Sequence, residues 1–190
     1  STLEAKEGVS NAICNQVSTF LTDDKLINAI NLPLADMDLL KTLAPYLKLG
    51  NVMGDFLSQL VDSSIVSLEV ESYGVIQDIK PVMLSLLKGL LKDITDNRIN
   101  YVNVLNIAEE RGVSLKFSYN SELVSYSNLV KATVKTDKSI FSIEGCLFDE
   151  KLIKLTKIMD YQIDVSPNGA MLLIHNKDIP GVVGKVGTVL

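Results

Sequence analysis

The amino-acid sequence predicts an α+β fold, with helices packed on one side of a largely antiparallel sheet. Three observations carry this. From Ser64 the apolar period changes from the three-and-four spacing of a helix to the alternation of a strand. One strand is followed by two helical patterns, and the chain then becomes a run of short alternating segments. Between two of those segments the turn Thr136-Asp137-Lys138-Ser139 suits a hairpin.

The elements follow in order. Ser1 and Glu4 have the spacing of a capping box, in which hydroxyl and carboxylate satisfy each other's free backbone N–H groups. Ala5, Val9, Ala12, Ile13, Val17, Phe20 and Leu21 then recur at helical steps, which gives an amphipathic helix ending near Thr22 and a domain boundary near Asp24. After the stretch INAINLP, residues Pro33 to Asp38 read as a loop. Leu39 to Val61 read as helix, with Pro45 and Gly50 as the points where an interruption would fall, since proline lacks the N–H that a helix interior needs.

Val66, Leu68 and Val70 alternate with Ser67, Glu69 and Glu71, the pattern of a strand with one face on a core and one in water. Pro81, at a first-turn position, opens a helix whose Met83, Leu86, Leu87, Leu90, Leu91 and Ile94 form one stripe. A second helix covers Val102 to Arg111 and stops at Gly112, which accepts the left-handed conformation of a helix end. Strands follow at Val113 to Tyr119, Val130 to Val134 and Phe141 to Ile143, then Ile153 to Ile158 and Tyr161 to Val165. Beyond the turn Pro167-Asn168-Gly169, Met171 to Ile174 read as a strand covered on both faces, because they do not alternate. A helix begins near Pro180. Nothing after Pro167 can pair with that strand, so this last module is incomplete by itself.

Composition limits the function classes. With 47% apolar and 22% charged residues the chain belongs among folded globular proteins. A net charge of -5, and lysines such as Lys131, Lys135 and Lys138 scattered between apolar positions, predict a solvated face and no nucleic acid partner, because phosphate-backbone affinity needs clustered cations. Cys14 and Cys146 stand far apart with no other ligand at metal spacing, which predicts a reducing compartment, no metal site and two buried thiols. No apolar run approaches the roughly 20 residues that span a bilayer, and the first residues lack a basic segment followed by an apolar one. No membrane partner and a cytoplasmic location are expected.

The stretch PGVVGKVG lacks both the Lys-Ser/Thr pair of a P-loop and the Gly-x-Gly of a dinucleotide turn. His175, the single histidine, has no motif that would make it a base, so it reads as structural. No catalytic residue is identified. Asn176, Lys177 and Asp178 place polar groups between strand and helix, where backbone amides favour an anionic group such as an amino acid carboxylate; the plainer reading is a turn with Asp178 as helix cap.

These residues carry a resemblance. Asn176, Asp178, Pro180, Gly181, Gly184, Val186 and Gly187 match the pattern N-x-D-x-P-G-x-x-G-x-V-G, and the segment resembles the first half of an ACT domain, a ferredoxin-like amino-acid-sensing module, as found in phosphoglycerate dehydrogenases. Ser1 to Val9 resemble the family's S-T-x-E-A-Q-x-x-V helix, with Lys6 in place of Gln. NAINLP, SLLKGLL, YVNVLNIAEERGV and EGCLF resemble the intervening domain of the long form of the D-3-phosphoglycerate dehydrogenase family. The resemblance implies three parts: residues 1–25 as the last helix of a catalytic domain, 26–165 as the intervening regulatory domain, and 166–190 as a truncated βα unit of an ACT domain.

It also implies that the full-length enzyme oxidises 3-phosphoglycerate with NAD in the first step of serine synthesis. The catalytic histidine would precede Ser1, so this portion would hold neither NAD nor catalytic groups. L-serine is the implied effector, with Asn176, Asp178, Pro180 and Gly181 as its site, and the implied assembly is a homo-oligomer. A basic residue near Lys154 belongs to the family's anion site; the partner arginine falls at Ser166, a departure that weakens the anion reading. The competing interpretation is a free-standing amino-acid sensor, in which the capped N-terminal helix would have no role. A serine dehydratase domain would need a cysteine cluster that the sequence does not contain.

Overall fold

The computed structural model describes residues 3–23, 37–74, 79–94, 98–122, 126–149, 151–177 and 179–189. The elements run α1 (Leu3–Asp23), α2 (Met37–Leu60), β1 (Ile65–Tyr73), α3 (Lys80–Leu91), α4 (Val104–Glu110), β2 (Ser114–Asn120), β3 (Val130–Thr136), β4 (Ile140–Phe148), β5 (Leu152–Ile158), β6 (Tyr161–Val165) and α5 (Val182–Val189). The fold is α+β, as the period change predicts.

The six strands form one sheet in the order β2-β1-β3-β4-β5-β6. Strands joined by tight turns pair antiparallel, from β3 through β6, and β1 pairs antiparallel with β3. The exception is β2, which lies parallel to β1. Between these two the chain passes through α3 and α4, and a parallel return needs such a crossover.

Register separates the two faces. Leu68 and Val70 lie opposite Val134 and Ala132, and Ala132 in turn lies opposite Ile143. All five are buried without residual exposure, facing α2 and α3. The other face carries Glu69, Glu71, Lys131 and Glu144, with Glu69 hydrogen-bonded to Lys116 and Lys131 paired with Glu71 at 3.1 Å. The hydrogen bond from Lys131 to Glu71, together with the Glu71 charge, holds the Lys131 ammonium above its ordinary range. Val66, expected inward, is 44% exposed because a register shift between Ile65 and Ser67 turns it out.

The core is built chiefly from α2 and α3, which meet at backbone distance. A Cβ on Gly50 would stand 2.7 Å from the Val82 carbonyl oxygen, and one on Gly89 would stand 2.6 Å from that of Asn51. Ser85 Oγ, inside this contact, donates to the Leu47 carbonyl at 2.5 Å and lies 3.2 Å from the Tyr101 hydroxyl. The expected interruption near Pro45 and Gly50 does not occur: α2 runs through both. Pro45 removes a helical hydrogen bond, yet Leu49, Met53 and Leu57 are all fully buried on the same helix, and that burial outweighs a proline cost of about 3 kcal/mol.

Two further expectations are corrected. Cys14 is exposed, while Cys146 is buried. The apolar side of α1 has no cover among the described residues, with Val9, Ile13, Val17 and Leu21 each more than half exposed; the Arg98 guanidinium, donating to the Leu21 carbonyl at 2.7 Å, ties its end to the rest. No strand forms over Met171–Ile174. Strands need a neighbour to complete their ladder, and here Leu172 is left 67% exposed.

Candidate functional site

Two regions hold the residues singled out in the sequence. Lys154 lies on β5, opposite Cys146 of β4, on the face away from the helices. Its ammonium pairs with the Asp164 carboxylate of β6 at 2.8 Å; the Lys154 side chain is three-quarters covered while that of Asp164 is mostly in solvent. Burial pushes the Cys146 thiol up, and the Asp164 carboxylate adds to that, so the thiol stays protonated between the two charged groups. Ser166 follows β6 immediately and brings no charge to Lys154. The charge on Lys154 is thus already balanced within the chain.

The second region is the segment from Leu173 to Gly181. Asn176 is exposed, and its side-chain amide donates to the Lys177 carbonyl at 3.1 Å. Asp178 lies outside the described residues. Pro180 and Gly181 are exposed in the turn that enters α5, where Gly181 has φ +88°, a conformation that suits glycine. Gly184 and Gly187 face open space, so nothing among the described residues makes the close approach their size would permit.

Sequence reasoning missed a cleft beside that loop. It has a volume of about 690 Å³ and sits where the β5–β6 hairpin passes the end of α2 and the segment Leu173–Asn176. His175 marks the crossing: its Nε2 lies 3.1 Å from the Tyr161 hydroxyl, the rings meeting edge to face with centroids 5.9 Å apart. A structural role for His175, expected from the sequence, fits this contact. Among the described residues no group of three potential metal ligands comes together, and no helix is long and apolar enough to cross a membrane.

The sequence model of the D-3-phosphoglycerate dehydrogenase intervening domain matches residues 42–159, which is α2 from its first turns through β5 and the start of its turn. The chain belongs to the D-3-phosphoglycerate dehydrogenase family. Over its whole length it is 30% identical to the D-3-phosphoglycerate dehydrogenase of Synechocystis, covering 35% of that protein, and 28% identical to that of Bacillus subtilis, covering 37%. The Methanocaldococcus jannaschii protein of the same name is 31% identical across 98% of this chain and 36% of its own length. The chain therefore spans about a third of the length of the curated relatives it matches. Lys154 falls within the matched intervening domain, whereas the cleft draws on residues both inside and beyond it.

Proposed function

We propose that this chain is the regulatory portion of an NAD-dependent D-3-phosphoglycerate dehydrogenase, which converts 3-phosphoglycerate to 3-phosphooxypyruvate in the first step of L-serine biosynthesis. The observation that carries this reading is the intervening-domain match over the α2–β5 core, joined to similarity along the whole chain with three dehydrogenases of that name. In this reading residues 1–25 belong to the end of a catalytic domain, 26–165 are the intervening domain, and 166–190 begin an ACT domain. NAD and the catalytic groups belong to the rest of a full-length cytoplasmic homo-oligomer.

L-serine is the effector, bound through Asn176, Asp178, Pro180 and Gly181. The N-terminal end of α5 favours its carboxylate through the helix dipole. Asn176, Pro180 and Gly181 are exposed, which leaves room for a second ACT module to complete the pocket.

A chimera tests the reading. With this chain in place of the matching third of the Bacillus subtilis relative, NAD reduction with 3-phosphoglycerate should persist and fall as L-serine is added. This chain alone should give no NADH above buffer background. Turnover by the chain alone, or an active chimera indifferent to millimolar L-serine, would overturn the assignment.

Lys154 is the candidate anion contact of this reading. Asp164 competes with any phosphate for its ammonium, but that carboxylate is largely exposed, and exposed pairs contribute only about 0–1 kcal/mol. Asp164→Asn should therefore strengthen phosphate binding by up to about fivefold, as read by titration calorimetry. An unchanged affinity would show that phosphate does not reach Lys154.

A further inference from the structure

The cleft at the β5–β6 hairpin has a divided lining. Its floor is apolar: Leu60 at the end of α2, Phe141 at the start of β4, and Ile158 and Ile163 on β5 and β6, all buried or half-buried. These side chains lie on the helix-facing side of the sheet, at its β6 end. Its exposed rim carries the polar Asp160, Tyr161, His175 and Asn176 beside the apolar Leu173 and Ile174. A volume of about 690 Å³ lies within the range of small-molecule pockets, roughly 300–1,000 Å³, and an apolar chamber with a few polar groups is the usual form of such a site.

The rim chemistry narrows the ligand. Asp160 supplies a carboxylate that would receive an ammonium group. The Tyr161 hydroxyl and His175 Nε2 share a hydrogen bond whose direction follows the tautomer; in the tautomer that accepts from Tyr161, Nδ1 carries an N–H to give to a carboxylate. A head group bearing both charges, attached to an apolar body, matches this arrangement; a simple anion would meet Asp160, and a small polar molecule would leave the floor uncovered.

We propose that this cleft binds a large apolar α-amino acid, with its side chain on the Leu60–Phe141–Ile158–Ile163 floor and its zwitterionic head between Asp160 and His175. The site meets the L-serine reading at Asn176 alone, which lines the cleft and belongs to both. It uses the β5–β6 hairpin rather than the entry to α5, and it requires no second module.

Titration calorimetry on the full chain with L-phenylalanine, L-leucine and L-serine tests it. L-phenylalanine and L-leucine should bind saturably, at least tenfold more tightly than L-serine. Charge-assisted hydrogen bonds set the expected loss in Asp160→Asn and in His175→Ala at about tenfold each. Both residues are exposed, so the variants should fold, as circular dichroism would check. Phenethylamine and 3-phenylpropionate, which each lack one charge, should bind about tenfold more weakly than L-phenylalanine. Absence of saturation by L-phenylalanine at 10 mM, or equal affinity in the wild type and both variants, overturns the proposal. So does sedimentation showing a dimer with no L-phenylalanine saturation, because a second copy would then occupy the cleft. Loss of serine inhibition in the chimera would leave these outcomes unaffected, so the two assignments fail separately.

Discussion

Gly54→Ala should destabilise the protein by about 3 kcal/mol or more, although alanine is the better helix former. Gly54 sits inside α2, where propensity alone would favour alanine by about 1 kcal/mol. A Cβ there would stand 2.0 Å from the Leu86 carbonyl oxygen and 2.9 Å from the Leu90 nitrogen. Both atoms are backbone of α3, which cannot swing aside as a side-chain tip can. The two helices must separate, and the separation opens the contact where Leu57, Leu86 and Leu90 are fully buried and strains the Ser85–Leu47 hydrogen bond. Overpacking thus exceeds propensity. On α1, by contrast, nothing lies within 4 Å of a Cβ on Gly8, so Gly8→Ala should leave the main unfolding transition unchanged or raise it slightly. Urea titration of the two variants decides by sign. A Gly54→Ala protein as stable as the wild type would mean that α2 and α3 do not meet at backbone distance.

Much of this architecture is legible in the sequence because burial and periodicity report the same thing. Leu68 and Val70 alternate with glutamates and are buried, and the Leu86, Leu87, Leu90 and Leu91 stripe is buried in the core. Alternation, however, fixes a strand's faces and not its direction. Only the two helices between β1 and β2 signal that this pair is parallel. Gly50 reads as a break when it is considered with its neighbours along the chain; its reason lies on α3, more than thirty residues away. Met171–Ile174 look like a strand by composition, but a ladder needs a partner and the described residues supply none.

The candidate sites were legible only in part, for related reasons. Asn176, Pro180 and Gly181 are readable from their spacing, whereas Lys154 is reached only through the family resemblance. The Asp164 partner that offsets Lys154 appears once β5 and β6 pair. The cleft floor joins Leu60, Phe141, Ile158 and Ile163, side chains separated by as much as a hundred positions and contributed by four elements. No local pattern marks such a set. The one trace in the sequence is an apolar run after β6 with nothing of its own to pair with.

Leu87→Ala gives the second large effect, and its contrast with α1 shows where the stability resides. Leu87 is fully buried in the cluster that contains Leu68, Val104, Val134 and Leu155. Its truncation loses the transfer free energy of the removed methyl groups and leaves a cavity. Between α2, α3 and the sheet the walls are held by close helix contact and by strand ladders, so the cavity cannot collapse. A loss of about 3–4 kcal/mol is expected, toward the upper part of the range for leucine-to-alanine changes. For a cooperative unit of this size that lowers the melting temperature by roughly 10 °C. Ile13 is also a large apolar residue on a helix, but it is 53% exposed on α1, and little surface is lost when it is cut back. Ile13→Ala should therefore shift the transition by less than about 0.5 kcal/mol. Amide exchange should follow the same division, with slow exchange at Leu68 and Leu87 and fast exchange at Val9 and Val189, the last being 87% exposed on α5. Equal losses from Leu87→Ala and Ile13→Ala would mean that α1 is folded against the core, contrary to the exposure of its apolar side.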